Sequence, residues 1–148
     1  MKKILIINGP NLNLLHLRDH KIYGNSSLQK IDIQCKNLAK EIGVILDFEQ
    51  SNSEGAMVDI IQNAIDVYDG IIINAGAYTH TSIAIRDALE IFLGAKIELH
   101  ISNVFIREEF RQNSYLSDIV DAVICGLGVS GYQIALLAIV KLLENKHS

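Results

Sequence analysis

A single α/β domain, built on a parallel sheet covered on both faces, is predicted by two features of the sequence. Five apolar, β-rich runs recur along the chain, and stretches of helical periodicity separate them. The runs are KILIIN (Lys3–Asn8), VILDFEQ (Val44–Gln50), GIIINA (Gly70–Ala75), KIELHI (Lys96–Ile101) and DAVIC (Asp121–Cys125). Parallel neighbours need crossover connections, and crossover helices cover the sheet, so alternation of the two patterns favours a parallel arrangement over hairpins.

Each intervening segment supports this reading in turn. Leu28, Ile31, Cys35, Leu38, Ala39 and Ile42 fall on one helical face, and Gly43 ends that helix because glycine adopts the left-handed cap conformation at little cost. Met57, Ile60, Ile61, Ala64 and Ile65 repeat the pattern before the third run, and Ala88, Leu89 and Phe92 repeat it before the fourth. The last helix, Tyr132–Glu144, is apolar over much of its surface. The simplest assembly is a flavodoxin-like three-layer sandwich around a five-stranded parallel sheet, with residues 1–148 forming one domain.

Composition narrows the function. A chain of 148 residues, 49% hydrophobic, can bury one real core but is too short for two ordinary domains. The N-terminal MKKILIING holds only four apolar residues before a polar turn, and no run approaches the roughly 20 residues of a membrane span. Neither a signal peptide nor an anchor is therefore expected, and the expected compartment is the cytoplasm. Cys35 and Cys125 lie in apolar patterns far apart in sequence, which suits reduced core residues better than a disulfide or a zinc site. The net charge of -4 arises from 13 basic and 17 acidic residues spread along the chain. Without a basic stripe, nucleic acid is a poor partner and a small molecule a better one.

In parallel sheets ligands bind beyond the carboxyl ends of the strands, so the loops there carry the functional signal. After the first strand come Asn8, Asn11, Asn13, Arg18 and Tyr23; after the second, Asn52, Ser53 and Glu54; after the third, Asn74, Tyr78, Thr79 and His80. The fourth strand delivers Glu98, His100, Ser102 and Asn103, followed by Arg107 and Arg111. Only Arg86 among the arginines lies elsewhere. A guanidinium is a planar fork that matches a carboxylate or phosphate, so an anionic ligand is expected.

Position alone leaves several of these residues with ordinary explanations. His80 reads as a residue decorating the start of a helix near Thr81, and Tyr23 as a loop aromatic lying on the surface. His100 is divided between the core and a site, because it ends an apolar strand at the sheet's ligand edge. Tyr23 gains interest from Arg18: a tyrosine acting as a base near neutrality needs a nearby cation to favour its phenolate. His16 and His20 have the spacing of metal ligands on a helix, but their segment shows no helical pattern and offers no third ligand. GLGVSG (Gly126–Gly131) matches a dinucleotide fingerprint, yet one helix is all that follows it. A tight strand-to-helix turn, its N–H groups lining the site, is the preferred reading.

Several motifs occur in order between Gly9 and Tyr132. They are GPNLNLL, the spaced Arg18 and Tyr23-Gly24, NAGAYTHTSIAIRDAL from Asn74, ELHISN followed by REEFR and NSY, and GLGVSGY. Together they resemble the type II 3-dehydroquinate dehydratases. The resemblance implies a flavodoxin-like catalytic domain in the shikimate pathway. Its reaction would be the anti elimination of water from 3-dehydroquinate, through an enolate, to 3-dehydroshikimate. No metal, lysine imine or other cofactor is implied. By motif, Tyr23 resembles the base, Arg18 the cation that favours its phenolate, and His100 the general acid. Glu98 resembles the group that orients the imidazole, and Asn11 the residue holding a water against the enolate. His80 and Arg111 resemble ligands to ring hydroxyls, while Asn74, Ile101 and Ser102 resemble the grip on the carboxylate. Asp87 resembles an aspartate contributed by the adjoining subunit in a dodecamer of four trimers.

Three positions depart from that pattern: His16 for a usual glycine and His20 for a usual proline in the lid segment, and Ser53 in the SNSEG stretch. The first two bear on lid conformation, since glycine and proline permit or restrict particular backbone states. A flavin or nucleotide module on the same fold would want a glycine- and hydroxyl-rich loop after the first strand, where GPNLNLL offers leucines and amides. A signalling receiver would want clustered acids there and an aspartate ending the third strand, where the chain has asparagines.

Overall fold

A computed structural model describes residues 1–146. The last two residues of the expected domain, 147 and 148, lie outside the described region. Five strands form one sheet: β1 (Lys3–Asn8), β2 (Ile45–Gln50), β3 (Gly70–Asn74), β4 (Ala95–His100) and β5 (Ala122–Cys125). The helices are α1 (His20–Tyr23), α2 (Leu28–Ile42), α3 (Glu54–Ala64), α4 (Ile83–Ile91) and α5 (Ser130–Asn145). Every neighbouring pair is parallel and the order is β2-β1-β3-β4-β5, which is the flavodoxin-like arrangement.

Strand periodicity sorts the core into two layers. Ile4, Ile6 and Ile72 face α2 and α5, packing on Ile31, Cys35, Ala135 and Ile139. Leu5, Ile7, Ile71 and Ile73 face α3 and α4, packing on Met57, Ile61, Ile85 and Leu89. Alternate residues of one strand point to opposite faces, so a run such as ILII serves both layers at once.

The strand ends differ from expectation by one residue, for local reasons. Val44 is drawn out of β2 because its N–H donates to the Ala39 carbonyl in the C-terminal cap of α2, where Gly43 is left-handed at φ 75°. Ala75 leaves β3 because its carbonyl accepts from Tyr78 in a 3-10 turn, Gly76–His80. Ser53 serves as the N-cap of α3, accepting from the Ala56 N–H at 3.2 Å. Cys35 is buried, and burial, helped by Asp32, pushes its thiol up to about 12. Cys125 was expected in the core but is only partly buried, because β5 is an edge strand with one neighbour. No helix among the described residues is long and apolar enough to cross a membrane.

The chain reverses its winding between β1 and β3, opening a crevice beyond their carboxyl ends. Gly9 leaves β1 against Ala75, where an added Cβ would lie 2.3 Å from the Ala75 carbonyl oxygen. Neither backbone can yield without breaking the Gly9 N–H bond to the Asn74 carbonyl, 2.8 Å long. Gly9→Ala is therefore expected to cost about 2–3 kcal/mol in a denaturant titration. Wild-type stability in that variant would mean the two strand exits are less tightly apposed.

Candidate active site

The segment after β1 was expected to lack helical structure, and the structure corrects this. Leu12–Leu17 forms a 3-10 turn and His20–Tyr23 the one-turn α1, both too short to produce a visible period. Asp19 caps α1 by accepting from the Lys21 N–H, and Gly24 at φ 75° closes it with an N–H to the His20 carbonyl. Leu12 and Leu15 are buried, which docks the turn onto the α2–α5 layer. His16 and His20 fall in different turns, and the nearest polar contact of His20 is the His16 carbonyl at 3.2 Å.

This arrangement buries Tyr23 to 7% exposure. Its hydroxyl accepts from Arg18 Nη2 at 2.6 Å and from Arg107 Nη1 at 2.7 Å. The Arg18 guanidinium also lies 3.9 Å from the ring centroid. Two guanidinium groups, from segments far apart in the chain, thus converge on one phenolic oxygen. Sequence reasoning placed Arg107 among the loop arginines but gave it no role. It is 84 residues from Tyr23 in the chain, so only folding brings the two together.

Opposite charge is organised at the end of β4. Glu98 and His100, two residues apart, share one face, and His100 Nε2 lies 2.5 Å from Glu98 Oε2. Both are buried. The Glu98 carboxylate also accepts from Ser117 Oγ at 2.6 Å and from Ser114 Oγ at 3.0 and 3.1 Å. Ser114 Oγ itself accepts the Leu116 and Ser117 N–H groups, so its own proton is directed to Glu98. Neither serine was singled out from sequence for this role, since nothing in their spacing announces a buried acceptor 16 and 19 residues away. Burial pushes Glu98 up, but donation from His100, Ser117 and Ser114 outweighs it and holds the carboxyl below its ordinary value of 4.5. With Nε2 committed, Nδ1 is the imidazole nitrogen left for a ligand.

The sign of the pH effect follows from that depression. On acidification the unfolded chain takes up this proton before the folded one does, so the stabilisation is present above 4.5 and is lost as pH falls through the folded value. The stability gap between wild type and Glu98→Gln should accordingly narrow as pH falls below about 4.5 and through the folded value in urea titrations. A gap independent of pH would show that Glu98 folds with an unshifted carboxyl.

A cavity of about 130 Å³ joins these two groups. Its lining includes Asn11, Arg18, Tyr23, Asn74, His80, His100, Ile101, Ser102, Arg107 and Arg111. Glu98 stands behind His100 and does not line it, and Asp87 is exposed on α4, also outside the lining. Asn11 is left-handed at φ 69°, tolerable for asparagine, and its N–H is pinned by Asn52 Oδ1 at 3.0 Å. His80 Nδ1 lies 2.7 Å from the Asn113 carbonyl, and its ring stacks 6.5 Å from that of His100. Arg111 is steadied by Glu108 at 2.7 Å. No carboxylate lines the cavity while three guanidinium groups do, so its field favours an anion. An open cleft of about 810 Å³ lies alongside and shares Tyr23, Ile101, Ser102 and Arg107.

The GLGVSG segment is the expected tight turn, with Gly126 and Gly128 at φ 85° and 63°. Its N–H groups were expected to line the site, but those of Gly126 and Gly128 are spent on the Ser102 and Ile101 carbonyls at 3.1 and 3.0 Å. The turn braces the backbone after β4 instead.

A flavodoxin-like sheet whose switch-point crevice faces a cation-flanked phenol with a carboxylate-braced imidazole is equipped for acid–base chemistry on a small anion; the class is that of an enzyme. Comparison with known proteins narrows the class. The family described as Dehydroquinase class II matches residues 2–140. A 3-dehydroquinate dehydratase of Prochlorococcus marinus (strain NATL1A) is 52% identical over 142 residues, covering 96% of this chain and 98% of that protein. One of Bartonella henselae is 53% identical over 138 residues, 93% of each chain. The crystal structure of type II dehydroquinase from Butyrivibrio crossotus DSM 2876 superposes with a TM-score of 0.92 at 45% identity, covering 94% of this chain and 97% of that one. The chain belongs to the class II dehydroquinase family.

Proposed function

We propose that the chain removes water from 3-dehydroquinate by anti elimination through an enolate, giving 3-dehydroshikimate in the shikimate pathway leading to aromatic amino acids. The observation carrying this reading is the Tyr23 hydroxyl held by Arg18 and Arg107 at 2.6 and 2.7 Å, in a cavity that His100 also lines. The Tyr23 phenolate takes the proton beside the ketone, and the two guanidinium groups stabilise the phenolate before transfer. Asn11 holds a water against the enolate oxygen, where charge appears only during reaction. The His100 imidazolium gives a proton to the departing hydroxyl through Nδ1, while Glu98 keeps Nε2 protonated and the ring oriented. The cycle leaves a proton on Tyr23 and a neutral imidazole, and exchange with solvent restores both.

Asn74 and the N–H groups of Ile101 and Ser102 take the substrate carboxylate, and His80 and Arg111 take ring hydroxyls. Asp87 comes from the adjoining subunit of a homododecamer of four trimers. The exposed Phe105, Ile106 and Phe110 support burial of this side of the site in an assembly. The compartment proposed is the cytoplasm.

Adding 3-dehydroquinate to purified, chelator-treated protein should raise the ultraviolet absorbance of the conjugated enone product. No change in absorbance would refute the proposed activity.

A further inference from the structure

Behind the cavity lies a chain of buried amide and hydroxyl groups whose polarity can be deduced from its ends. Asn8 ends β1, Asn74 ends β3, and the two are register partners. Tyr132, in the first turn of α5, lies between their side chains. Asn8 and Tyr132 are fully buried, Asn74 is 4% exposed, and of the three only Asn74 lines the cavity.

The Glu49 carbonyl can only accept, so Asn8 must present Nδ2 to it, 3.1 Å away. Asn8 then presents Oδ1 to Tyr132, whose hydroxyl must donate, at 2.7 Å. With its single proton spent, the Tyr132 oxygen accepts from Asn74 Nδ2 at 3.0 Å. At the far end the Gly76 N–H can only donate, and it donates to Asn74 Oδ1 at 3.2 Å. Both ends therefore demand the same orientation of the Asn74 amide. One Nδ2–H remains uncommitted, on a side chain that lines a cavity bearing three guanidinium groups and no carboxylate.

We infer that Tyr132 is a positioning residue for ligand binding: its hydroxyl holds the Asn74 amide so that the site offers an anion an N–H donor and not a carbonyl oxygen. The inference rests on the carboxylate role proposed for Asn74. An amide rotated by half a turn would set a lone pair against the ligand's carboxylate, and the Gly76 bond, at the long end of the normal range, is a weaker guard against this than the pair of bonds together. The Phe48 ring, 6.2 Å from that of Tyr132, and the surrounding core hold the aromatic ring without help from the hydroxyl. Burial pushes the Tyr132 hydroxyl well above the ordinary tyrosine range, so it stays a neutral donor.

Tyr132→Phe preserves the ring and removes the hydroxyl. Steady-state kinetics with 3-dehydroquinate should show KM raised about tenfold and kcat within about threefold of wild type. A purely structural defect would lower the active fraction, and hence kcat, and leave KM in place. Asn74→Ala should raise KM comparably, and the double variant should be little worse than either single one, because both remove the same contact. If Asn74→Ala raises KM while Tyr132→Phe leaves it at the wild-type value, the inference is overturned and the role of Asn74 stands. If Asn74→Ala leaves KM unchanged, the carboxylate assignment fails and takes the inference with it. Should Tyr132→Phe not accumulate as folded protein, Asn8→Ala carries the same test one link back. A raised KM at near-constant kcat supports the relay, and an unchanged KM overturns it.

Discussion

Tyr23→Phe is expected to bind 3-dehydroquinate within an order of magnitude of the wild type and to turn it over on the order of 10³-fold more slowly. The substitution removes one oxygen and leaves in place the ring, which packs in the α2–α5 layer at 7% exposure. Binding is largely spared because the proposed carboxylate and hydroxyl contacts come from Asn74, Ile101, Ser102, His80 and Arg111, not from the phenol. Turnover is lost because the oxygen taken away is the acceptor for Arg18 and Arg107, and no other titratable oxygen lines the cavity. Steady-state kinetics on the variant, with an inhibitor titration for affinity, measures both quantities. Turnover near the wild-type rate would remove Tyr23 from the mechanism.

His100→Ala should lower kcat by about 10²- to 10⁴-fold, the range that a positioned general acid contributes. Glu98→Gln should fall well short of that. The glutamine keeps the volume and one acceptor oxygen, but it loses the charge that balances an imidazolium and presents an NH₂ group to the surrounding donors His100, Ser114 and Ser117. The order of effects tests the proposed roles, in which His100 transfers the proton and Glu98, behind it and outside the cavity lining, acts only through it. A Glu98→Gln loss equal to that of His100→Ala would instead indicate a pair that works as one unit. A His100→Ala variant with kcat within tenfold of wild type would rule out the acid assignment.

Much of this was legible in the linear chain because the relevant signals are local. Ile4 to Ile7 alternate between two layers, and the helical faces of α2 and α3 repeat every three or four residues, so both element types announce themselves within one window. Glu98 and His100 are two apart on a strand, a distance over which geometry follows from element type, and Arg18 and Tyr23 are near enough in the chain for one loop to hold both. The two turns after β1 were illegible for the opposite reason: four and six residues are too few to establish a helical period.

By itself the sequence determined the three-layer class with its five-stranded parallel sheet, the carboxyl edge at which polar residues gather, and the motif set shared with the class II dehydroquinases. Tertiary structure decided which residues distant in the chain meet there. Arg107 on Tyr23, Ser114 and Ser117 on Glu98, and Tyr132 between Asn8 and Asn74 join positions 84, 16, 19, 124 and 58 residues apart. Such contacts have no period and no fixed spacing. Strand order sets them, by bringing the carboxyl ends of β1, β3 and β4 to one edge beneath the turn that opens α5.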